Sequence, residues 1–300
     1  MPETVALDIE HDAPIDTWFG IGGRADRLAR PSSIEELGQC VALDANLKVF
    51  GEGANLLVAD GGVRALVVSL AKMNAVSIGA DGFVRAQAGA DLMRLINGTV
   101  RAGLAGLHTL TGVPASIGGA IAMNAGGAFG NTFDHLREIT TMDRAGVVRT
   151  EPASAFEATY RDGGLGGRIV VEAVFELEPE EPMVLRERVK DIMAQKKASQ
   201  PMAADSAGCV FKNPSLAEDI EGVGKAGQRV SAGMLIDRAG CKGLAAGGAR
   251  VSERHANFVV VDKATASAAD VIELIEAVRQ RVHDAFGVEL ATEVVVWSER

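Results

Sequence analysis

Long apolar runs are missing from this 300-residue chain. A stretch of about 18 uncharged apolar residues, the minimum for a membrane-spanning helix, occurs nowhere. The opening MPETVALDIEHDAPID has no basic region leading into an apolar core, so no secretory leader is expected. The reading is a soluble, cytoplasmic protein with no membrane partner. Cysteine is scarce too: Cys40, Cys209 and Cys241 are the only three, with no C-x-x-C, which excludes a disulfide framework and gives no sign of structural zinc. His11, His108, His135, His255 and His283 never stand three or four apart as paired ligands on a helix would, so no metal is expected. Positive charge is short, with 30 Lys and Arg against 40 Asp and Glu, a formal charge of −10, and no basic block to follow a phosphate backbone. Nucleic acid is therefore not an expected partner. Aromatic residues are few, with one tyrosine and two tryptophans, so any large planar ligand has to be held by contacts other than ring stacking.

What is present is apolar material, 47% of residues, in a chain long enough for two or three cooperating lobes. Short β-branched runs predict strands over 47–50, 65–69, 83–88, 169–177, 258–261 and 294–297. Helical spacing is clearest over 267–286, where Val271, Leu274, Ile275, Val278, Val282 and Phe286 share a face, with Ser267 and Asp270 as a capping pair and Gly287 as the stop. Shorter helices are predicted over 33–45, 91–102 and 184–197. The strands and helices alternate too irregularly for a doubly wound sheet, so the class is α+β. The tract EPEEP at 178–182 reads as a loop near a lobe boundary, and a second break is expected over 198–204. No internal repeat or low-complexity tail is visible.

Two motif-like segments do not hold up. Gly20 to Ala25, GIGGRA, satisfies a dinucleotide fingerprint with Asp44 about twenty residues on, but Pro31 leaves no room for the helix that fingerprint must open. Pro114 to Gly118 lacks the first glycine of a nucleophile elbow.

Three segments carry more chemistry. Thr111 to Gly126, TGVPASIGGAIAMNAG, places almost no side chain between its backbone and whatever lies against it, which suits a flat or phosphorylated ligand; read by spacing alone it would be tight turns or close helix packing. Gly51-Glu52-Gly53-Ala54-Asn55 follows a predicted strand, so its amides could cradle a pyrophosphate, with an ordinary turn as the plainer reading. Ser206 to Pro214, SAGCVFKNP, sets a thiol, an ammonium and an amide (Cys209, Lys212, Asn213) close together, a set suited to proton transfer and anion binding.

Together with Tyr160-Arg161 and the segment Ala239-Gly240-Cys241-Lys242-Gly243, and in this order, these segments resemble the UDP-N-acetylenolpyruvoylglucosamine reductases, flavoenzymes of bacterial peptidoglycan synthesis. The resemblance runs from about Thr17 to the C-terminus and implies a two-lobed FAD-binding domain of the PCMH/VAO type with a C-terminal α+β substrate lobe. Residues 1–68 with 287–300 would form one flavin lobe, 69–190 the other, and 200–286 the substrate-binding domain. The implied cofactor is FAD, with NADPH as co-substrate and a small-molecule nucleotide sugar as partner. FAD would be held by Gly51, Glu52, Gly53, Ala54, Asn55 and Leu56, and by Thr111, Gly112, Val113, Pro114, Ser116, Ile117, Gly118, Asn124 and Gly126. Tyr160, Lys197, Lys212, Asn213, Gln228, Lys242 and His255 would bind substrate. With its one tyrosine already in the Tyr-Arg motif, the chain looks like the shorter family type that lacks an extra tyrosine-bearing loop.

By the same resemblance Arg161, Cys209 and Glu293 are catalytic. Arg161 would meet the enolate-like charge, Cys209 would protonate carbon, and Glu293 would position or assist the protonated intermediate. Unaided, the sequence would make Arg161 the partner of an acid on a surface turn, Cys209 a buried filler and Glu293 a strand-end surface residue. Two departures stand out. Cys209 replaces the usual serine with a much stronger acid, whose reference pKa is about 8.5. Gly163 stands where a serine or similar residue usually follows the arginine, which puts the local support of Arg161 in question. The competing readings are another flavin oxidase or dehydrogenase of the same superfamily and a non-catalytic nucleotide-sugar binder.

Overall fold

The structure is a computed structural model that describes residues 7–298. The chain forms two compact units, the first built from 1–13, 25–52 and 64–196, the second from 14–24, 53–63 and 197–300. The architecture is α+β.

Among the described residues the first unit holds two larger sheets and two two-stranded pairs. In one, Ile9–Ala13 pairs antiparallel with Ala25–Ala29, which runs parallel to Val67–Ser69, itself parallel to Lys48–Phe50. In the other, five antiparallel strands lie in the order Val148–Pro152, Leu136–Met142, Ile169–Glu176, Phe83–Gln87, Val76–Ile78. Helix α1 (Ile34–Leu43) begins where the Ser33 side chain accepts from the Glu36 N–H. Helix α2 (Leu92–Arg101), capped by Asp91, buries Leu92, Leu95, Ile96, Thr99 and Val100, an i, i+3, i+4, i+7, i+8 stripe. Leu92, Leu95, Ile96 and Val100 join Leu37, Val84, Ile139 and Phe175 in one core; each fully buried Leu or Ile contributes about 1.5–3 kcal/mol. The six-residue α3 (Ile117–Ala122) is capped by Ser116. Helix α4 runs Pro182–Ser199.

The second unit packs α5 (Ala232–Arg238) and α6 (Ala268–Phe286) with an antiparallel sheet of Ala245–Ala246, Ala249–Val251 and Val259–Val261. Leu56–Val58 runs parallel to Val295–Trp297 in this unit. Its core gathers Phe19, Leu57, Leu235, Val271, Leu274 and Val278. The α6 reading holds in detail: Ser267 and Asp270 form a complete capping box, and Gly287 terminates the helix at φ +66°. The Asp60 carboxylate adds two further caps, accepting from the Ala268 and Ala269 N–H groups at 2.9 Å each.

The tract 178–182 is not a plain loop. Glu178–Pro179 pairs with Leu104–Ala105, and α4 starts at Pro182, where a missing N–H costs nothing. The compact units change over at 196/197 instead, beside the expected break at 198–204. Strands at 136–142 and 148–152 escaped prediction because their threonines, acids and arginines dilute the apolar signal; α3 and α5 escaped because they are short and carry glycine. The glycines of GIGGRA open a strand, not a helix, and serve close packing: a Cβ on Gly22 would lie 2.0 Å from the Val58 carbonyl oxygen.

Removing the Ser267 hydroxyl in Ser267→Ala should lower the unfolding free energy by about 1 kcal/mol. Urea denaturation should show it as a lower midpoint at unchanged slope.

Candidate active site

In the first unit, Gly51, Ser116, Gly118 and Gly119 line one cavity of about 520 Å³, a size in the range of ligand pockets. The strand Lys48–Phe50 delivers Gly51, and the turn into α3 delivers the others. Contact is so close that a Cβ on Gly51 would stand 1.8 Å from Ser116 Oγ. That hydroxyl accepts from the Gly119 N–H at 3.2 Å. The Ile117 and Gly118 N–H groups are engaged by the Ala90 and Ala88 carbonyls at 2.9 and 2.8 Å, and the Ile117 side chain is fully buried. The amides at 118–119 are therefore engaged within the protein and are not free donors to a ligand.

Elsewhere in the stretch 111–126, Thr111 is buried and donates to the His108 carbonyl, and the Gly112 N–H meets Met93 Sδ at 3.2 Å. The Val113 N–H donates to the Leu110 carbonyl, and Pro114 is half-buried beside it. Gly126 pairs with Asn131 in a short hairpin. Partial burial, and after it the Asp91 carboxylate, raise the pKa of Glu52.

Asn124, expected at the flavin, holds the arginine turn. It adopts φ +37° and donates from Nδ2 to the Thr159 carbonyl at 3.1 Å. Thr159 and Asp162 exchange backbone hydrogen bonds of 2.8 and 3.3 Å, leaving Tyr160 and Arg161 at the tip of a tight turn. Arg161 takes φ +60°, a conformation that costs a non-glycine residue about 1 kcal/mol or more. Its guanidinium carbon lies 5.1 Å from the Tyr160 ring centre. Gly163 is explained by packing. Its N–H donates to the Ala122 carbonyl, and a Cβ there would fall 2.1 Å from the Ile121 oxygen. In this chain a serine at 163 would collide with the end of α3.

In the second unit, Cys209 and Glu293 come together on adjacent backbone. Cys209 bridges to Phe258, and Phe211 to Thr292. The Glu293 and Val294 N–H groups both reach the Val210 carbonyl, at 2.7 and 3.3 Å, the shared acceptor that a β-bulge produces. Asn55 was read as a pyrophosphate donor; here its Nδ2 donates to the Glu293 carbonyl at 3.0 Å, while its own carbonyl accepts from Val295. Gly53 is buried with φ +62°, and a Cβ would meet the Asp16 carbonyl oxygen at 2.2 Å. Ala54 completes the turn, and Leu56 is buried at the start of the parallel strand pair. Cys209 is half-buried, whereas Cys40 and Cys241 are buried, and burial pushes the Cys40 thiol up to about 11 and raises that of Cys241.

The expected substrate residues of this unit are partly engaged with protein. Asn213 Oδ1 accepts from the Ala232 N–H at the start of α5, and the Lys212 N–H donates to the Ala291 carbonyl. Lys242 pairs with Asp237 at 2.7 Å. Gln228 is exposed and accepts from the Lys225 N–H, and the Lys197 carbonyl accepts from Arg254. His255 lies edge-on to Phe258, and burial holds its pKa below the usual histidine value. Its Nδ1 accepts from the Asn257 N–H at 3.2 Å, which puts the proton on Nε2.

Sequence reading missed Arg144 and Arg168, which bring positive charge to the 520 Å³ cavity of a net-negative protein. Arg144 donates to the Leu47 and Gly167 carbonyls, and Arg168 pairs with Glu151 and stacks over Phe156 at 4.6 Å. Gly166-Gly167-Arg168, leading into a strong strand, was the available signal.

A family profile described as FAD binding domain matches residues 25–151. The cavity that this region shares with 162–170 fits that group, with Gly51, Gly118, Gly119, Arg144 and Arg168 among its lining. Fold and site define a flavin-dependent oxidoreductase. A second profile, the C-terminal domain of UDP-N-acetylenolpyruvoylglucosamine reductase, matches 200–297. The reductase of Moorella thermoacetica is 38% identical over 94% of this chain and 90% of its own. That of Carboxydothermus hydrogenoformans is 38% identical over 98% and 94%. The crystal structure of the Thermus caldophilus enzyme superposes with a TM-score of 0.80 at 32% identity, covering 97% of this chain and all of that one. The chain belongs to the UDP-N-acetylenolpyruvoylglucosamine reductase family.

Gly51→Ala should weaken FAD binding by about 5- to 160-fold, because overpacking of this kind costs about 1–3 kcal/mol. Titration of the apoprotein with FAD, followed by flavin fluorescence, measures it.

Proposed function

We propose that this protein reduces UDP-N-acetylglucosamine enolpyruvate to UDP-N-acetylmuramate with electrons from NADPH, in cytoplasmic peptidoglycan synthesis, and so serves cell-wall biogenesis, cell shape and division. The observation that carries the reading is the hydrogen bond from the Glu293 N–H to the Val210 carbonyl, which brings two of the three expected catalytic residues onto neighbouring backbone. Division of the chain into flavin lobes 1–68 with 287–300 and 69–190 and a substrate lobe 200–286 belongs to the same reading. It is supported by the pairing of 56–58 with 295–297 and by the five-stranded sheet contained in 76–176.

FAD held here and reduced by NADPH would supply the hydride for the terminal enolpyruvyl carbon. Negative charge then builds on the adjacent carbon and its carboxylate. The Arg161 guanidinium, a permanent charge with a planar donor fork, offsets that charge. The Cys209 thiol delivers its proton to the same carbon, completing addition of one hydride and one proton across the double bond. Glu293 steadies the carboxyl end of the product-forming complex. Lys197, Lys212, Asn213, Gln228, Lys242 and His255, with Tyr160, bind the nucleotide sugar; Lys242 exchanges its Asp237 partner for phosphate in this reading.

Anaerobic stopped flow separates the two half-reactions. In Cys209→Ala, NADPH should bleach the flavin at close to the unmutated rate while reoxidation by the enolpyruvyl sugar slows by about 10²-fold or more. Equal slowing of both halves counts against the assignment. Cys209→Ser should keep substantial activity and lose the alkaline limb set by a thiol of reference pKa about 8.5.

A further inference from the structure

Asn257 lies in the segment His255-Ala256-Asn257-Phe258 and is 3% exposed. A buried side-chain amide needs partners for both ends, and Asn257 finds both on one residue. Its Oδ1 accepts from the Phe211 N–H at 2.9 Å, and its Nδ2 donates to the Phe211 carbonyl at 2.8 Å. Only this orientation of the amide satisfies both groups. The main chain adds a third link, the Val210 N–H donating to the Asn257 carbonyl at 2.9 Å. The side chain thus acts as a substitute β-strand, saturating a backbone position that no neighbouring strand covers on that side.

The far side of the same three residues carries the bulge. The Val210 carbonyl accepts from Glu293 and Val294, and the Glu293 carbonyl accepts from Asn55. Cys209, Val210 and Phe211 are therefore clamped between Asn257 and the Glu293 strand. A hydrophobic filler would occupy the volume of Asn257 but would leave the Phe211 N–H and carbonyl buried and unbonded.

We propose that Asn257 is a positioning residue for proton transfer: it fixes the backbone that carries Cys209 in register with Glu293, and this inference rests on the function proposed above. A proton donor has to be held to within about 0.5 Å of its productive place, and a bidentate amide on the residue two positions along imposes that register where a single hydrogen bond would allow slippage. The groups that Asn257 bonds, Val210 and Phe211, are not among the residues assigned to FAD. Loss of the clamp should therefore separate the two halves of the reaction.

The test uses the FAD-loaded protein and two variants. Asn257→Leu keeps the volume and removes both bonds. Asn257→Ala leaves room for water to satisfy the Phe211 groups, and serves if the leucine variant does not fold. Reduction by NADPH should stay within about twofold of the unmutated protein, while anaerobic reoxidation by the enolpyruvyl nucleotide sugar slows at least about tenfold, the scale on which misplacement of a reacting group acts. The rate of Cys209 alkylation by iodoacetamide, located by peptide mass, should change at least about threefold, because exposure and hydrogen bonding of the thiol follow its backbone. Reoxidation within twofold of the unmutated rate, or equal slowing of both halves, overturns the proposal. If the unmutated protein does not turn over the sugar, the functional reading falls and alkylation alone decides: a changed rate upholds the positioning role and an unchanged one overturns it.

Discussion

Backbone pressed against backbone, with no side chain between, is the constraint on which this structure depends. Gly53 against the Asp16 carbonyl, Gly22 against Val58 and Gly163 against Ile121 each leave less room than a methyl group needs. Such contacts are strict because a Cβ placed about 2 Å from a carbonyl oxygen cannot be accommodated by rotating anything, and only a shift of the chain relieves it.

The same constraint accounts for the way individual residues were recruited. The tip of the Tyr160-Arg161 turn is kept in a left-handed conformation by the Thr159–Asp162 pairing, by Asn124 from one side and by Gly163 packed on the end of α3. Strain of this kind persists only where surroundings over-determine it. Glycine at 163 is thus the residue that this backbone approach requires. Cysteine at 209 is a different kind of departure: its half-burial distinguishes it from Cys40 and Cys241, whose buried thiols are pushed toward the neutral form.

Much of the fold was readable beforehand, for local reasons. Helix α6 announces itself through a capping pair, a six-position apolar stripe and a terminal glycine, all within twenty residues of one another along the chain. The strands Lys48–Phe50, Phe83–Gln87 and Ile169–Glu176 lie where β-branched runs put them. The strand Leu136–Met142 did not, since Arg137, Glu138, Thr140 and Thr141 interrupt its apolar signal, and its central place between two partners is a long-range fact. In the site, glycine segments and motif residues were legible as types. Their partners were not: Asn55 holds the Glu293 carbonyl, Asn124 the Arg161 turn and Asn257 the Phe211 backbone.

The sequence by itself determined the family, the α+β class, the caps and faces of the helices, and the identity of the chemical groups available, because these follow from short-range spacing and side-chain chemistry. Tertiary structure alone decided which amide serves which carbonyl, which glycine is pressed against which turn, and that Cys209 and Glu293 share a backbone ladder. Those pairings join residues remote along the chain, and a hydrogen bond or a steric contact is specified only when the two groups have been brought within a few ångströms of each other.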